Sequence, residues 1–347
     1  MISRRSLIKA SLLATGSIPF FHHKTVNAKG LLNEVPTFPT LPQGRIISTA
    51  TLYTAPKRTA KQIKPLVRDS LIAILDTVEG DRLIPSTNTW YRTENGYVYS
   101  AGVQPVDTEI QTPITADEVK EKFWGEICMP FADAYLSITP NSPPFRRLYH
   151  GCVFRVVDLQ QSTDGKWWYR IEDGVNGKYG FVSNLMINAS HIKRLTPEDL
   201  APITPEVENK RIQVNLKTNT ITAYENDEPV LTTRCSSGML KSNTVTPSGK
   251  MSVLYKMHTS HMRDRARTYD LPGVAFPTYF TWWGHAIHGT YWHNDYGTYR
   301  SHGCLNVPNH IAKWFWRWTN PNAPYESNFY SVTMAKTNGT QVTINWG

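Results

Sequence analysis

Two short stretches hold the densest chemistry in this sequence: Ala286-Ile287-His288-Gly289-Thr290 and Ser301-His302-Gly303-Cys304-Leu305-Asn306. A thiol at its ordinary pKa is mostly protonated at neutral pH. A cysteine that attacks a carbonyl therefore wants an imidazole within hydrogen-bond reach and backbone N–H groups aimed at the developing oxyanion. His288 and His302 offer imidazoles, and Gly303 beside Cys304 lets main chain approach a substrate carbonyl closely. The pattern suits nucleophilic acyl transfer through Cys304. A helix predicted from Asn309 to Trp318 adds a second influence, because the positive end of a helix biases a cysteine just ahead of it toward thiolate.

The neighbourhood is also crowded with His258, His261, His285 and His293. His258-Thr259-Ser260-His261 and His285 with His288 could be zinc ligands of a metallohydrolase. No His-Glu-x-x-His is present, however, and no carboxylate stands in the general-base position of that motif. These four histidines are read as satisfied polar residues of loops, and no metal is expected. Tyr279, Phe280, Trp282, Trp283, Tyr291 and Trp292 could line a cleft or pack under loops. The segment from His258 to Phe280, with Asp264, Arg265 and Pro272-Gly273, is read as a flap over the cleft.

Elements that could position such a site are mostly strands. Ile212, Val214 and Leu216 alternate with Gln213 and Asn215. A Lys217–Asn219 turn follows, then Ile221 and Ala223 against Thr222 and Tyr224, then an Asn226-Asp227 turn. This predicts an antiparallel meander. Upstream, Val153–Val157, an Asp164-Gly165 turn, Trp167–Ile171, Gly177 and Tyr179-Gly180-Phe181-Val182 follow the order of bacterial SH3-like domains, which this region, 145–190, resembles. Residues 44–110 repeat the style more weakly, with apolar runs at Ile46-Ile47, Leu52-Tyr53, Leu71–Leu75, Trp90-Tyr91 and Tyr97–Tyr99. Such modules could bind a wall or only brace an enzyme. A proline-stiffened linker is expected over 29–43, and a polar joint lies at Leu195–Pro202.

With 347 residues, two or three domains are expected at ~150 residues each. The 23 prolines and 21 glycines, with many Thr, Val, Ile and Tyr, favour short strands joined by turns. Residues 1–28 combine Arg4-Arg5, an apolar stretch from Leu12 to Phe21 and Val26-Asn27-Ala28, the layout of a twin-arginine export signal. The expected location is thus the cell envelope or periplasm. No cysteine sits near that stretch to carry a lipid, and no later run reaches the ~18 apolar residues that span a bilayer. The formal charge of +9, four units of it in 1–28, suits an anionic polymer. Nucleic acid is not expected as a partner, because no basic stripe interleaved with aromatics appears. Cys128, Cys152, Cys235 and Cys304 show no metal-type spacing. The first three are read as small buried residues, with pairing among them left open.

His288-Gly289, with twelve residues separating His288 from Ser301, and Ser-His-Gly-Cys-Leu-Asn together resemble the signature of the L,D-transpeptidases (YkuD-type catalytic domains). Thr246-Pro247-Ser248-Gly249 is similar to the family's Thr-Pro-x-Gly turn, and Ile212–Tyr224 to its opening hairpin. The resemblance covers roughly 208–338, in a domain taken to 347. It implies a mainly β chain: two small SH3-like barrels, then a β-rich catalytic domain with one short helix after the cysteine motif. It implies Cys304 as nucleophile and His288 as base and acid, its tautomer fixed by a backbone carbonyl such as that of Gly289. His302 would help shape the oxyanion site, and Gly303 and Cys304 would give oxyanion N–H donors. Trp283 and Gly284, on a strand preceding His288, and Asn306 would contact the donor peptide. Gly289 stands where some relatives carry Ser or Asp. The implied reaction links peptidoglycan stem peptides through a thioester with loss of D-alanine, needs no cofactor, and is open to carbapenem-type acylating inhibitors. An L,D-carboxypeptidase and an inactive wall-binding protein are the alternatives.

Overall fold

The computed structural model describes residues 43–114, 121–139, 141–173, 184–241, 244–264 and 268–347. The export signal, the linker apart from Gln43, the Gly177 to Val182 segment and Arg265 lie outside these residues. The described chain is mainly β, with α-helices at Asn309–Trp318 and Val332–Ala335.

Three β modules follow one another. Strands between Gln43 and Val106 form a three-stranded and a five-stranded antiparallel sheet, and Ile46, Leu52, Tyr91, Val98 and Val103 pack as their core. The second module contains the expected pair, Val153–Gln161 and Trp167–Glu172, joined through Gly165 in the left-handed region at φ +81. It opens well before residue 145, because Phe123–Ile127 pairs with both Val153–Gln161 and Ile192–Leu195. Pairing across so long a stretch leaves no local periodicity to read.

The third module is built on the predicted meander. Lys210–Asn215, Thr220–Glu225 and Glu228–Arg234 pair antiparallel, with Ile212, Val214, Ile221 and Ala223 buried on one face. The chain's last strand, Gln341–Asn345, returns parallel to Lys210–Asn215 and closes the sheet with Gly249–Ser252. A second sheet runs Leu305–Val307, Ala286–Gly289, Thr278–Tyr279, Tyr255–Met257, Phe329–Ser331. Both sheets share one core with the Asn309–Trp318 helix, including Ile212, Val214, Ile287, Leu305 and Phe315. Each fully buried side chain of this size contributes about 1.5–3 kcal/mol.

The helix follows from its spacing: Ala312, Phe315 and Trp316 fall three and four apart and are buried on one stripe. Its C-terminal carbonyls are satisfied unusually, by two lysines. Lys256 Nζ donates to Trp316 O at 2.5 Å and Thr319 O at 2.8 Å, and Lys210 Nζ donates to Trp318 O at 3.0 Å. Free helix-end carbonyls in a buried position would otherwise be costly.

The segment read as a flap is a hairpin, Thr259–Arg263 with Asp270–Ala275, and it is anchored toward its turn end. Arg146 reaches Asp173 at 3.2 Å and Asp270 at 3.3 Å, and His261 Nδ1 lies 3.0 Å from Asp173. A Cβ on Gly273 would stand 2.5 Å from Phe154, so glycine there lets the hairpin press against the second module. This clamp ties the flap to the second module. His258 does lie in a bend, whereas His261 is on the first hairpin strand and not in a loop; both are buried. His258 is sandwiched by Trp124 at 4.3 Å and Trp316 at 4.5 Å, and burial holds its pKa down at about 3.

Candidate active site

Two parallel strands set the geometry. Ala286–Gly289 pairs with Leu305–Val307 so that His288 lies opposite Asn306. Paired residues of neighbouring strands share a face, and so do residues two apart along a strand. Cys304 stands in the bend immediately before the second of these strands, two residues ahead of Asn306.

Cys304 is partly exposed, whereas Cys128, Cys152 and Cys235 are buried; all four are free thiols. Its Sγ donates to Gly284 O at 3.6 Å. Burial of the sulfur pushes its pKa up to about 11, against a smaller lowering by a backbone bond at Ala286. The helix does not offset this. The strand Leu305–Val307 and Pro308 stand between Cys304 and the first helical residue, Asn309, and a helix's positive end acts only within about its first turn. The expectation of a helix-stabilised thiolate is therefore corrected: the resting group is a thiol that needs a base.

His288 is suited to be that base. Its ring is 2% exposed, and desolvation lowers its pKa to about 4, partly opposed by the bond to Gly289 and reinforced by the nearby His293. It is neutral at pH 7. Nδ1 donates to Gly289 O at 2.9 Å, which leaves the lone pair on Nε2. In this resting state Asn306 Nδ2 donates to that lone pair at 3.0 Å. Nucleophile and base are each held by other partners: for proton transfer the thiol must leave Gly284 O and Asn306 must release the Nε2 lone pair.

The remaining predicted residues fall as follows. Asn306 is buried at 2% exposure and bonded to His288 and His293, so it acts on the base and is not an open peptide contact. Gly303 adopts φ +111, and a Cβ there would meet the His285 ring at 2.6 and 2.7 Å; glycine is required on both counts. Its N–H donates to Ser301 Oγ at 3.0 Å, so in this state it is not free for an oxyanion. His302 faces outward, its ring 5.1 Å from Tyr269 at the hairpin tip. Trp283 and Gly284 lie on a turn before the strand, not on the strand itself. Trp283 is 88% exposed beside the thiol's carbonyl partner.

Sequence reasoning missed three contributors. His285 is held by Thr281 Oγ1 through both its ring and its backbone N–H, at 2.9 and 3.0 Å, and it packs under Gly303. His293, taken for a loop residue, is buried between Asn306 and Asp295. The amide of Asn309 fills the space a Cβ on Gly289 would need. That crowding is the physical reason no Ser or Asp stands there. Only the acidic Asp295 two residues after His293 could have hinted at the buried pair. Among the described residues no three His, Cys, Asp or Glu side chains converge as a metal site, and no helix is long and apolar enough to cross a membrane.

Residues 209–344 match the family model described as the L,D-transpeptidase catalytic domain, YkuD. No curated protein matches the chain. Among solved structures, the chain is similar to a cysteine-to-serine variant of the Enterococcus faecium L,D-transpeptidase, at 24% identity over 44% of this chain and 55% of that one, with a TM-score of 0.31. It thus spans about 55% of that structure's length. It is also similar to an L,D-transpeptidase from Mycobacterium smegmatis, at 16% identity over 54% and 98% of the two chains, TM-score 0.31. A third is L,D-transpeptidase 1 of Mycobacterium tuberculosis, at 21% identity over 40% and 61%, TM-score 0.28.

Proposed function

From the match of residues 209–344 to the L,D-transpeptidase catalytic domain, we propose that this chain is a cysteine acyltransferase that cross-links peptidoglycan stem peptides. The observation that carries the reading is that Cys304, the one free cysteine of the described residues that is not buried, stands immediately before the strand paired with that of His288, whose imidazole lone pair is fixed on Nε2. His288 Nε2 takes the thiol proton, and the sulfur pair attacks the carbonyl of the third stem residue. The tetrahedral intermediate collapses as the bond to D-alanine breaks, and His288 returns its proton to the leaving amine. The side-chain amine of a second stem then attacks the thioester, the new amide forms, and the thiol is regenerated. Oriented N–H donors matter most at the oxyanion stage. Once Ser301 Oγ releases Gly303 N–H, that group could join the Cys304 N–H in this role.

Trp283, exposed beside Gly284, offers a face for the donor peptide, and His302 borders the cleft. The N-terminal modules, of which the second follows an SH3-like order in sequence, would either hold the enzyme at the wall or brace it after twin-arginine export. The domain limits in this proposal are 44–110 and 208–347, with a middle module whose sheet runs from Phe123 to Leu195.

The test is incubation of the full chain with a carbapenem, read by intact mass. One covalent adduct is expected, absent in Cys304→Ala. A folded wild-type chain that takes no adduct would leave a wall-binding protein as the better reading. With a defined disaccharide-tetrapeptide, dimer identifies a transpeptidase and tripeptide alone a carboxypeptidase.

A further inference from the structure

A cleft of about 330 Å³ lies where the first module meets the catalytic domain. That is within the range of small-ligand sites, about 300–1,000 Å³. One wall comes from the strands Asp76–Ile84 and Thr87–Thr93 of the first module. The other comes from the end of the strand Glu228–Arg234, the loop at Asn294 and Tyr296, and the start of the Asn309–Trp318 helix. Among the described residues, none of Cys304, His288, Gly303 and Trp283 lines it. The two walls are tied together. Asn294 Nδ2 reaches across to Ser100 O at 3.2 Å and Val103 O at 2.9 Å. A Cβ on Gly297 would stand 2.8 Å from Ser86 and 3.3 Å from Arg234 Cδ, so glycine there lets the loop, the first module and the stem of Arg234 meet.

Two cations line this cleft from opposite walls, Arg82 from the first module and Arg234 from the meander. Burial, and after it the charge of Arg82, lowers the pKa of Arg234, so the two guanidinium groups lie in each other's field. Like charges held together away from bulk water repel, and an anion between them replaces that repulsion with two attractions. A guanidinium also presents its N–H groups as a planar fork that matches a carboxylate or a phosphate. Glu79 lines the same cleft. It disfavours a purely anionic ligand and favours one that carries an ammonium beside its carboxylate.

We propose that this cleft is a second binding site, for a peptide that carries both a carboxylate and an amine, with Arg82 and Arg234 taking the carboxylate and Glu79 the amine. The stem peptide of the reaction above has both, a terminal carboxylate and a side-chain amine; naming it as the ligand rests on that reading of the catalytic domain. A stem held in the cleft keeps the enzyme on the polymer while another is processed at Cys304, because the second contact is then made within one complex. The first module thus grips the wall only together with the catalytic domain: it supplies Arg82 and Glu79, and the meander supplies Arg234.

The test titrates the full chain carrying Cys304→Ala with a soluble stem tetrapeptide by calorimetry, at low and high salt, with melting curves to confirm folding. The catalytic cleft is present in every chain compared, so only binding that the arginine changes remove reports this site. Arg234→Gln and Arg82→Gln should each weaken one peptide-binding event by about tenfold, the effect of losing a charge-assisted bond. Arg234→Lys, which keeps the charge without the fork, should fall between its parent and Arg234→Gln. The event should weaken with salt and disappear when the peptide's carboxylates are amidated. Glu79→Gln should weaken the peptide and tighten inorganic phosphate, used as a second probe. With Cys304 restored, the rate of carbapenem acylation should be equal in wild type and Arg234→Gln, since the cleft stands apart from the nucleophile. Peptide affinity unchanged in both glutamine variants would overturn the proposal, as would a site that takes phosphate as tightly as the peptide. A wild-type chain that takes no carbapenem adduct, yet binds the peptide through these arginines, would instead refute the functional reading and leave the cleft standing.

Discussion

Replacing Gly303 by alanine probes the contact that holds the nucleophile in place. Two penalties combine. The backbone at φ +111 is one that L side chains rarely adopt, and holding it costs about 1–3 kcal/mol. The new Cβ would also sit 2.6 and 2.7 Å from the His285 ring, where ordinary contacts begin near 3.4 Å. Forcing an extra methyl into such a space costs about 1–3 kcal/mol more. The sum is about 2–6 kcal/mol, read as a lower urea midpoint with an unchanged slope. His285 also fixes the turn that presents Gly284 O to the thiol, through Thr281 and through its own carbonyl bonded to Phe280 N–H. Carbapenem acylation should therefore fall at least tenfold even where the protein remains folded. The double variant Gly303→Ala with His285→Ala separates the two penalties, because the clash disappears and the backbone strain remains. A favourable coupling of about 1–2 kcal/mol is expected. A Gly303→Ala protein within 0.5 kcal/mol of wild type would refute the strain argument. Strict additivity in the double variant would refute the contact with His285.

Between pH 6.5 and 4.5 the unfolded chain protonates its histidines, while folded His258, held at about 3 by burial between Trp124 and Trp316, stays neutral. Stability must fall as pH falls through this window, by up to about 1.4 kcal/mol per unit from this group. His258→Phe should keep the stack and give a shallower decline in melting temperature, since His150 and His288 also have lowered values of about 4; an unchanged slope would count against the assignment. Native-state alkylation with iodoacetamide should label Cys304 well ahead of the buried Cys128, Cys152 and Cys235, as peptide mapping would report, and equal labelling of Cys152 would contradict the exposure described.

Local pattern was legible wherever a residue's neighbours in sequence are its neighbours in space. The meander of Ile212 to Tyr224 alternates with a period of two because one face of that sheet is buried, and the helix Asn309–Trp318 shows its apolar stripe for the same reason. The span of the second module was not legible. Its edges are set by Phe123–Ile127, which bonds to strands on both sides of it. The flap's attachment was not legible either, because Asp264 and Pro272-Gly273 mark only its turns. It is anchored because Arg146 and Asp173 come from another module.

By itself the sequence determined which atoms can react: a sulfur, its imidazole and the glycine between His302 and Cys304 are fixed by type and spacing. Tertiary structure decided their states. Burial set the neutral thiol and neutral imidazole, the strand after Cys304 kept the helix's positive end away, and parallel pairing put Asn306 on His288. Those are properties of distance and solvent exclusion between residues far apart in the chain, and no spacing in a one-dimensional string encodes them.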